Sequence, residues 1–268
     1  MALVPGGEFW MGINLEGAIG AVGDCKDAGV APTACAALVE REMPGHRVVL
    51  DAYLIDRHEV TSAQFDRFVA ATGHVTTAER EGTGWVSRYV ETEWRWTAVP
   101  GASWRAPDGT ETAAPGDHPV VQVSWLDGDA YCRWAGKRLP TEAEWEKAAR
   151  GTDGRAYPWG DTWNAAMITD DPSVQRRPVG ALPDGASPFQ VHGMAGNVAE
   201  WVADWFDKQY YEGSPAANPP GPSAGQYRVV RGGSWNHSRF YLRTTYRGRE
   251  APDSRDNRVG FRCARGLP

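Results

Sequence analysis

No apolar run in this 268-residue chain approaches the roughly 18–20 residues that cross a bilayer, so no membrane span is expected. The N-terminus, Met1-Ala2-Leu3-Val4-Pro5-Gly6-Gly7, lacks both a basic n-region and an apolar h-region, and no signal peptide is expected either. Basic residues are outnumbered, 28 against 34 acidic for a net charge of −6. They gather only late in the chain, which argues against a nucleic-acid groove. Gly232-Gly233-Ser234 lacks the second flanking glycine of a serine-hydrolase elbow. No phosphate loop and no Gly-x-Gly-x-x-Gly follows a strand-like segment. The six histidines (His46, His58, His74, His118, His192, His237) show neither HxxxH nor HxH spacing, which leaves each as a lone surface or turn residue. Cysteine is scarce at four.

What is present is 31 Gly, 19 Pro and 13 Trp within an otherwise ordinary balance of 41% hydrophobic and 23% charged residues. Turn formers and large rings spread along the whole chain describe a loop-heavy fold pinned by aromatics, not a bundle or a doubly wound sheet. Helical periodicity is confined to three places. Thr61 caps a segment with Phe65, Phe68 and Val69 inward and Gly73 closing it. A second runs from Ser124 to Ala135 with Trp125, Ala130, Tyr131 and Trp134 inward. Thr141-Glu142-Ala143-Glu144 forms a capping box that opens the third. Short strands are expected at 48–55, 227–231 and 259–263. Residues 76–118, 151–190 and 212–226 read as irregular, and 1–268 reads as a single domain.

Several segments in order resemble one family. They are Pro5-Gly6-Gly7-Glu8-Phe9-Trp10-Met11-Gly12, Ile55-Asp56-Arg57-His58-Glu59-Val60-Thr61 and His118-Pro119-Val120-Val121-Gln122-Val123-Ser124-Trp125. Gly136-Lys137-Arg138-Leu139-Pro140-Thr141-Glu142-Ala143-Glu144-Trp145 and Gly193-Met194-Ala195-Gly196-Asn197-Val198-Ala199-Glu200-Trp201 follow. Arg231-Gly232-Gly233-Ser234-Trp235 and Gly260-Phe261-Arg262-Cys263-Ala264 complete the set. The chain resembles the formylglycine-generating enzyme, or sulfatase-modifying factor, family. That implies an α+β, C-type-lectin-like fold, loop-rich with few short helices and strands.

The resemblance fixes a fold more securely than an activity. The family's copper-dependent oxidases use a Cys-x4-Cys pair just after the Arg-Gly-Gly-Ser-aromatic motif, because soft thiolates select Cu(I). Here Asn236 to Leu242 holds no cysteine, so formylglycine generation is not expected and no catalytic residue is assigned. The iron-dependent branch draws its histidines largely from a separate helical domain that this sequence lacks. Cys132 and Cys263 occupy positions that match a structural disulfide of the family, with buried reduced thiols as the alternative. Cys25 and Cys35 close a short Gly/Ala/Asp-rich insertion and leave the same two readings open. An even, fully pairable count leans towards an oxidising compartment.

The resemblance also implies structural calcium. Gly196, Asn197, Val198 and Glu200 match the family's calcium loop, where side-chain and carbonyl oxygens suit a hard cation. A second site would use Asn164, the Ala165 carbonyl and Asp170 or Asp171. The rival for the first loop is a capping box, with Asn197 as N-cap and Glu200 at N3 of a helix.

From Trp235 to Arg258 the chain mixes Tyr, Phe, His, Arg, Ser and Asn as binding surfaces do. The candidate ligand face comprises Asn236, His237, Ser238, Arg239, Phe240, Tyr241, Thr245, Tyr246, Gly248, Ser254, Asp256, Asn257 and Arg258. All are reachable from AAC-type codons by changing adenines, the pattern of retroelement-diversified members of the family. On this reading Asn236, His237, Phe240, Tyr246 and Arg258 converge on one exposed patch, while Trp235 and Phe261 are buried. The bland reading is a loop pinned by Arg231, Arg243, Arg247, Arg255 and Arg262 opposite carboxylates such as Glu200, Asp204 or Asp253. The expected function is a non-catalytic ligand-binding or display protein, its partner a protein or small molecule at the C-terminal face. The rival is an oxidoreductase of the same family with an unassigned, non-copper site.

Overall fold

The computed structural model describes residues 1–91, 93–109, 113–168 and 175–267. The first half runs β1 (Ala2–Val4), β2 (Gly7–Met11), α1 (Leu15–Asp27), α2 (Pro32–Val39), β3 (His46–Leu50), β4 (Tyr53–Ile55), α3 (Ser62–Thr72), α4 (Thr77–Glu81), β5 (Thr83–Val90) and β6 (Glu93–Pro100). The second runs α5 (Trp125–Trp134), α6 (Glu142–Arg150), β7 (Ala199–Trp205), β8 (Arg228–Arg231), β9 (Gly248–Glu250), β10 (Val259–Phe261) and β11 (Ala264–Gly266), with short 3-10 turns between.

The three expected helices are present. Thr61, Ser124 and Thr141 each accept a backbone N–H three residues on, while Gln64, Asp127 and Glu144 reach back, so all three open with complete capping boxes. Gly73 closes α3 at φ 70°, a conformation that suits glycine. Trp134, expected inward, is exposed on α5; the inward face there belongs to Tyr131 and Cys132.

The single strand expected at 48–55 is two. β3 pairs with β2, whereas β4 pairs with β1 and β11, so the chain changes sheets at Asp51-Ala52. Further elements, the short α4 among them, lie where no helix or strand is expected. β5 and β6 form a hairpin with Ser87 opposite Trp96 and Tyr89 opposite Trp94. The Gly/Ala/Asp-rich insertion folds into α1 and α2, closed by a Cys25–Cys35 disulfide.

The central sheet has the order β10-β7-β8-β9, with β10 parallel to β7 and the others antiparallel. Trp201 on β7 is fully buried, and its indole N–H donates to the Val123 carbonyl at 3.0 Å. Phe65, Tyr131 and Phe261 pack beside it. A second disulfide, Cys132–Cys263, ties α5 to the residue before β11. Both disulfides are consistent with an oxidising environment. Among the described residues, no helix is long and apolar enough to cross a membrane.

Candidate functional site

The C-terminal segment is held in place by buried ion pairs. α6 reads Glu142-Ala143-Glu144-Trp145-Glu146-Lys147-Ala148-Ala149-Arg150 and is buried along its whole length, so each of its charges needs a partner. Glu142 takes Arg247 in a fork of 2.7 and 2.9 Å. Glu146 takes Arg231 at 2.6 Å, and Arg231 donates onward to the carbonyls of Thr244, Thr245 and Tyr246. Arg243 forks onto Glu42 at 2.8 and 2.7 Å, and Arg262 onto Glu200 at 2.7 and 2.6 Å. The expected arginine pinning is therefore real, but it is internal and uses mostly other carboxylates. Arg255 pairs with Glu81, not Asp253, and Asp204 accepts the Glu142 N–H.

This lattice shapes a loop at Gly232-Gly233, both at positive φ. A Cβ on Gly233 would lie 2.7 Å from the Tyr241 carbonyl, so only glycine lets the loop pass beneath the 238–242 turn. Beyond the loop lies a cavity of about 230 Å³ between β8, β9 and β10. His237, Tyr246, Gly248 and Arg258, all anticipated, line it; so do Ser234, Arg41, Arg249 and Glu250, which are not anticipated. Arg41 arrives from the end of the insertion, which nothing in the sequence places near residue 237. Arg249 and Glu250 belong to the late basic run, the one signal available for them.

His237 sits at the cavity floor. Its Nδ1 accepts the Ser234 backbone N–H at 3.0 Å, and Ser234 Oγ donates to Asn236 Oδ1 at 2.9 Å. Burial, then the neighbouring Arg258, pushes the His237 pKa down to about 3, so the ring is neutral at pH 7. With Nδ1 accepting, the remaining ring proton is assigned to Nε2. Burial, then Asp256, raises the Glu250 carboxyl above its ordinary range.

The other candidate positions divide. Phe240 is fully buried, packed with Ala18, Ala21 and the Cys25–Cys35 pair of the insertion, which corrects the expectation of an exposed ring. Two helices over the 239–242 turn account for this. Arg239 reaches Asp24 at 2.9 Å and Asp27 at 2.6 Å on α1. Thr245 is buried and donates to Glu42 at 2.7 Å. Asn257 is buried with its amide on Ser87 and Asp108. Tyr241 half-covers His237, with ring centroids 4.9 Å apart, and Ser238 is exposed. Ser254 and Asp256 line a second cleft with Trp85 and Trp96, which shares Glu250 and Arg258 with the first. Trp235 and Phe261 are buried as expected.

The calcium loop carries different bonds. Both Glu200 oxygens accept from Arg262, and Oε2 also accepts the Trp145 indole N–H at 2.9 Å. Asn197 Oδ1 accepts the Arg177 backbone N–H at 3.0 Å, and its amide donates to Glu59 at 2.9 Å. The Gly196 N–H is bonded to the Gly232 carbonyl, and Val198 is buried. So placed, Asn197 and Glu200 do not fit a calcium ligand set. The capping-box rival also fails: Asn197 stands at φ 56° and residues 199–205 form β7, not a helix. Asn164 caps a short 3-10 turn through the Ala166 N–H, while Asp170 and Asp171 lie outside the described residues. Among the described residues no three His, Cys, Asp or Glu side chains converge as a metal site.

Known proteins share this architecture. The formylglycine-generating enzyme of Streptomyces coelicolor is 40% identical over 97% of this chain and 87% of its own length. PvdO from Pseudomonas aeruginosa superposes with a TM-score of 0.71 at 26% identity, covering 99% of this chain and 93% of that one. The Treponema denticola variable protein 1 superposes at 0.69 with 22% identity, covering 100% and 95%, a likeness of fold alone. With residues 1–267 matched by the sulfatase-modifying factor enzyme 1-like domain, the chain belongs to that family and has its C-type-lectin-like fold.

Proposed function

We propose that this chain is a ligand-binding member of its family that does not carry out copper-dependent formylglycine generation. The observation behind this reading is that both disulfides together engage all four cysteines, so no thiolate remains for Cu(I). The ligand face is the cavity between β8, β9 and β10, lined by His237, Tyr246 and Arg258, with the Trp85–Trp96 cleft as its extension. Its partner is a small molecule or an exposed part of a protein.

The oxidoreductase reading draws support from the 40% identity to a protein named for formylglycine generation. One experiment tests the copper-dependent activity directly. The copper-loaded protein is incubated in air with a Cys-x-Pro-x-Arg peptide, and aldehyde is captured with a hydroxylamine probe. No aldehyde is expected; its formation would overturn the ligand-binding reading. Retroelement diversification of residues 235–258 is tested in the surrounding DNA, where it requires a reverse transcriptase and a near-copy of that coding segment.

A further inference from the structure

Every buried arginine among the described residues is opposed by a carboxylate, whereas two less buried ones without such a partner share one cavity. Arg41 and Arg249 line the cavity above His237 and have no carboxylate partner among the described residues. Each rests instead against an aromatic face, Arg41 at 5.7 Å and Arg249 at 5.3 Å from the Phe206 ring. Arg258 lies 3.9 Å over Trp96; its Nη2 reaches Asp256 at a long 3.5 Å and its backbone N–H donates to the same carboxylate at 2.6 Å, while its buried Nε lacks a hydrogen-bond partner. Three guanidinium groups thus face a cavity whose one lining carboxylate is Glu250.

The floor adds a second, independent observation. His237 Nε2 and Arg258 Nη1 lie 3.4 Å apart. Since Nδ1 must accept from Ser234, Nε2 carries a hydrogen, and two donors face each other with no acceptor between them. An oxygen seated at the apex over this pair would accept from both. We propose that the cavity binds the carboxylate group of a small organic acid, gripped by Arg41, Arg249 and Arg258 with the His237 Nε2–H as a further donor. This deepens the ligand-binding reading and rests on it.

Two features favour a carboxylate over a phosphate. Glu250 can only accept when ionised, so a phosphate's additional oxygens would face it unpaired. Both oxygens of a carboxylate, in contrast, can be met by the guanidinium groups and the His237 Nε2–H. A volume of about 230 Å³ lies below the roughly 300–1,000 Å³ of sites for drug-sized ligands, and suits a compact acid.

The test is calorimetric titration of the whole chain at low ionic strength with benzoate, acetate and inorganic phosphate. Saturable binding of both carboxylates, with phosphate weaker, is expected. Arg249→Gln alters an exposed side chain, so it should weaken carboxylate binding at least tenfold while leaving the thermal unfolding midpoint unchanged. Arg41→Gln should do the same, and Arg133→Gln, on an exposed residue of α5, should change nothing. Absence of saturable carboxylate binding, indifference to Arg249→Gln, or phosphate binding as tightly as the carboxylates each overturns the proposal. None of these outcomes touches the ligand-binding reading, which falls only to aldehyde formation in the peptide assay.

Discussion

Arg247 and Arg249 are two residues apart, yet they belong to different parts of the molecule's physics. Arg247 is fully buried, forked onto Glu142, and donates besides to the carbonyls of Arg41 and Asp207. Arg249 points out of β9 towards Phe206 and Tyr227, with no carboxylate opposite among the described residues. Strand alternation would put residues two apart on one face; what separates these is that Arg247 precedes β9 and is held on Glu142, whereas Arg249 lies within the strand. Arg231, Arg243 and Arg262 go with the first and Arg41 with the second, while Arg258, 3.5 Å from Asp256, stands between them. An arginine's role here is read from the presence or absence of its carboxylate, not from its place in the sequence.

The largest test of this division is Arg247→Met. It leaves Glu142 buried beside Asp204, whose own pKa burial and then Glu142 already raise to about 8. Removing one partner of a buried pair costs about 3–5 kcal/mol, to be read from denaturant unfolding. A loss below about 1 kcal/mol would put Arg247 with the solvated set. A middle-sized effect concerns His237. Its folded pKa of about 3 lies below the ordinary 6.5, so between those values the unfolded chain binds a proton that the folded ring refuses. Stability must therefore fall as pH drops from 6.5 towards 3. His237→Gln should flatten that part of the curve; parallel curves for variant and wild type would show the ring to be solvated. The smallest effect is expected from chelation. With Glu200 held by Arg262, a chelator should leave the melting temperature unchanged. A drop on chelation would mean that calcium displaces Arg262 and that this arginine belongs to neither set.

Much of the architecture is legible in the sequence because capping boxes are local. Thr61, Ser124 and Thr141 announce their helices within four residues. The ordered motifs carry the family for the same reason, each being a short run that folds one way. What the sequence does not disclose depends on distant placement. Arg41 becomes a cavity residue only because α1 and α2 return the chain to β9, and Phe240 becomes core only because those helices lie over it. Alanine- and glycine-rich composition hides these helices, since neither residue marks a face. The β5–β6 hairpin escapes notice because its tryptophans are partly exposed on both strands, so no buried period shows. Asn197 and Glu200 have the spacing of a capping box, and the left-handed backbone at Asn197 and the strand that follows it rule the box out.

The placement of β4 has a consequence for synthesis of the chain. Ile55 is flanked by Ala2 on one side and Ala264 on the other, so the first and last strands are neighbours across one short strand. While translation proceeds, β1 and β4 form only a hydrogen-bonded pair with an open edge, and their third strand is still to be made. That edge can be closed correctly only when residues 264–266 have left the ribosome tunnel. Until then it is open to strands of other chains. A released chain truncated shortly before Ala264 should therefore aggregate or be degraded, even though it contains every residue of the proposed ligand cavity.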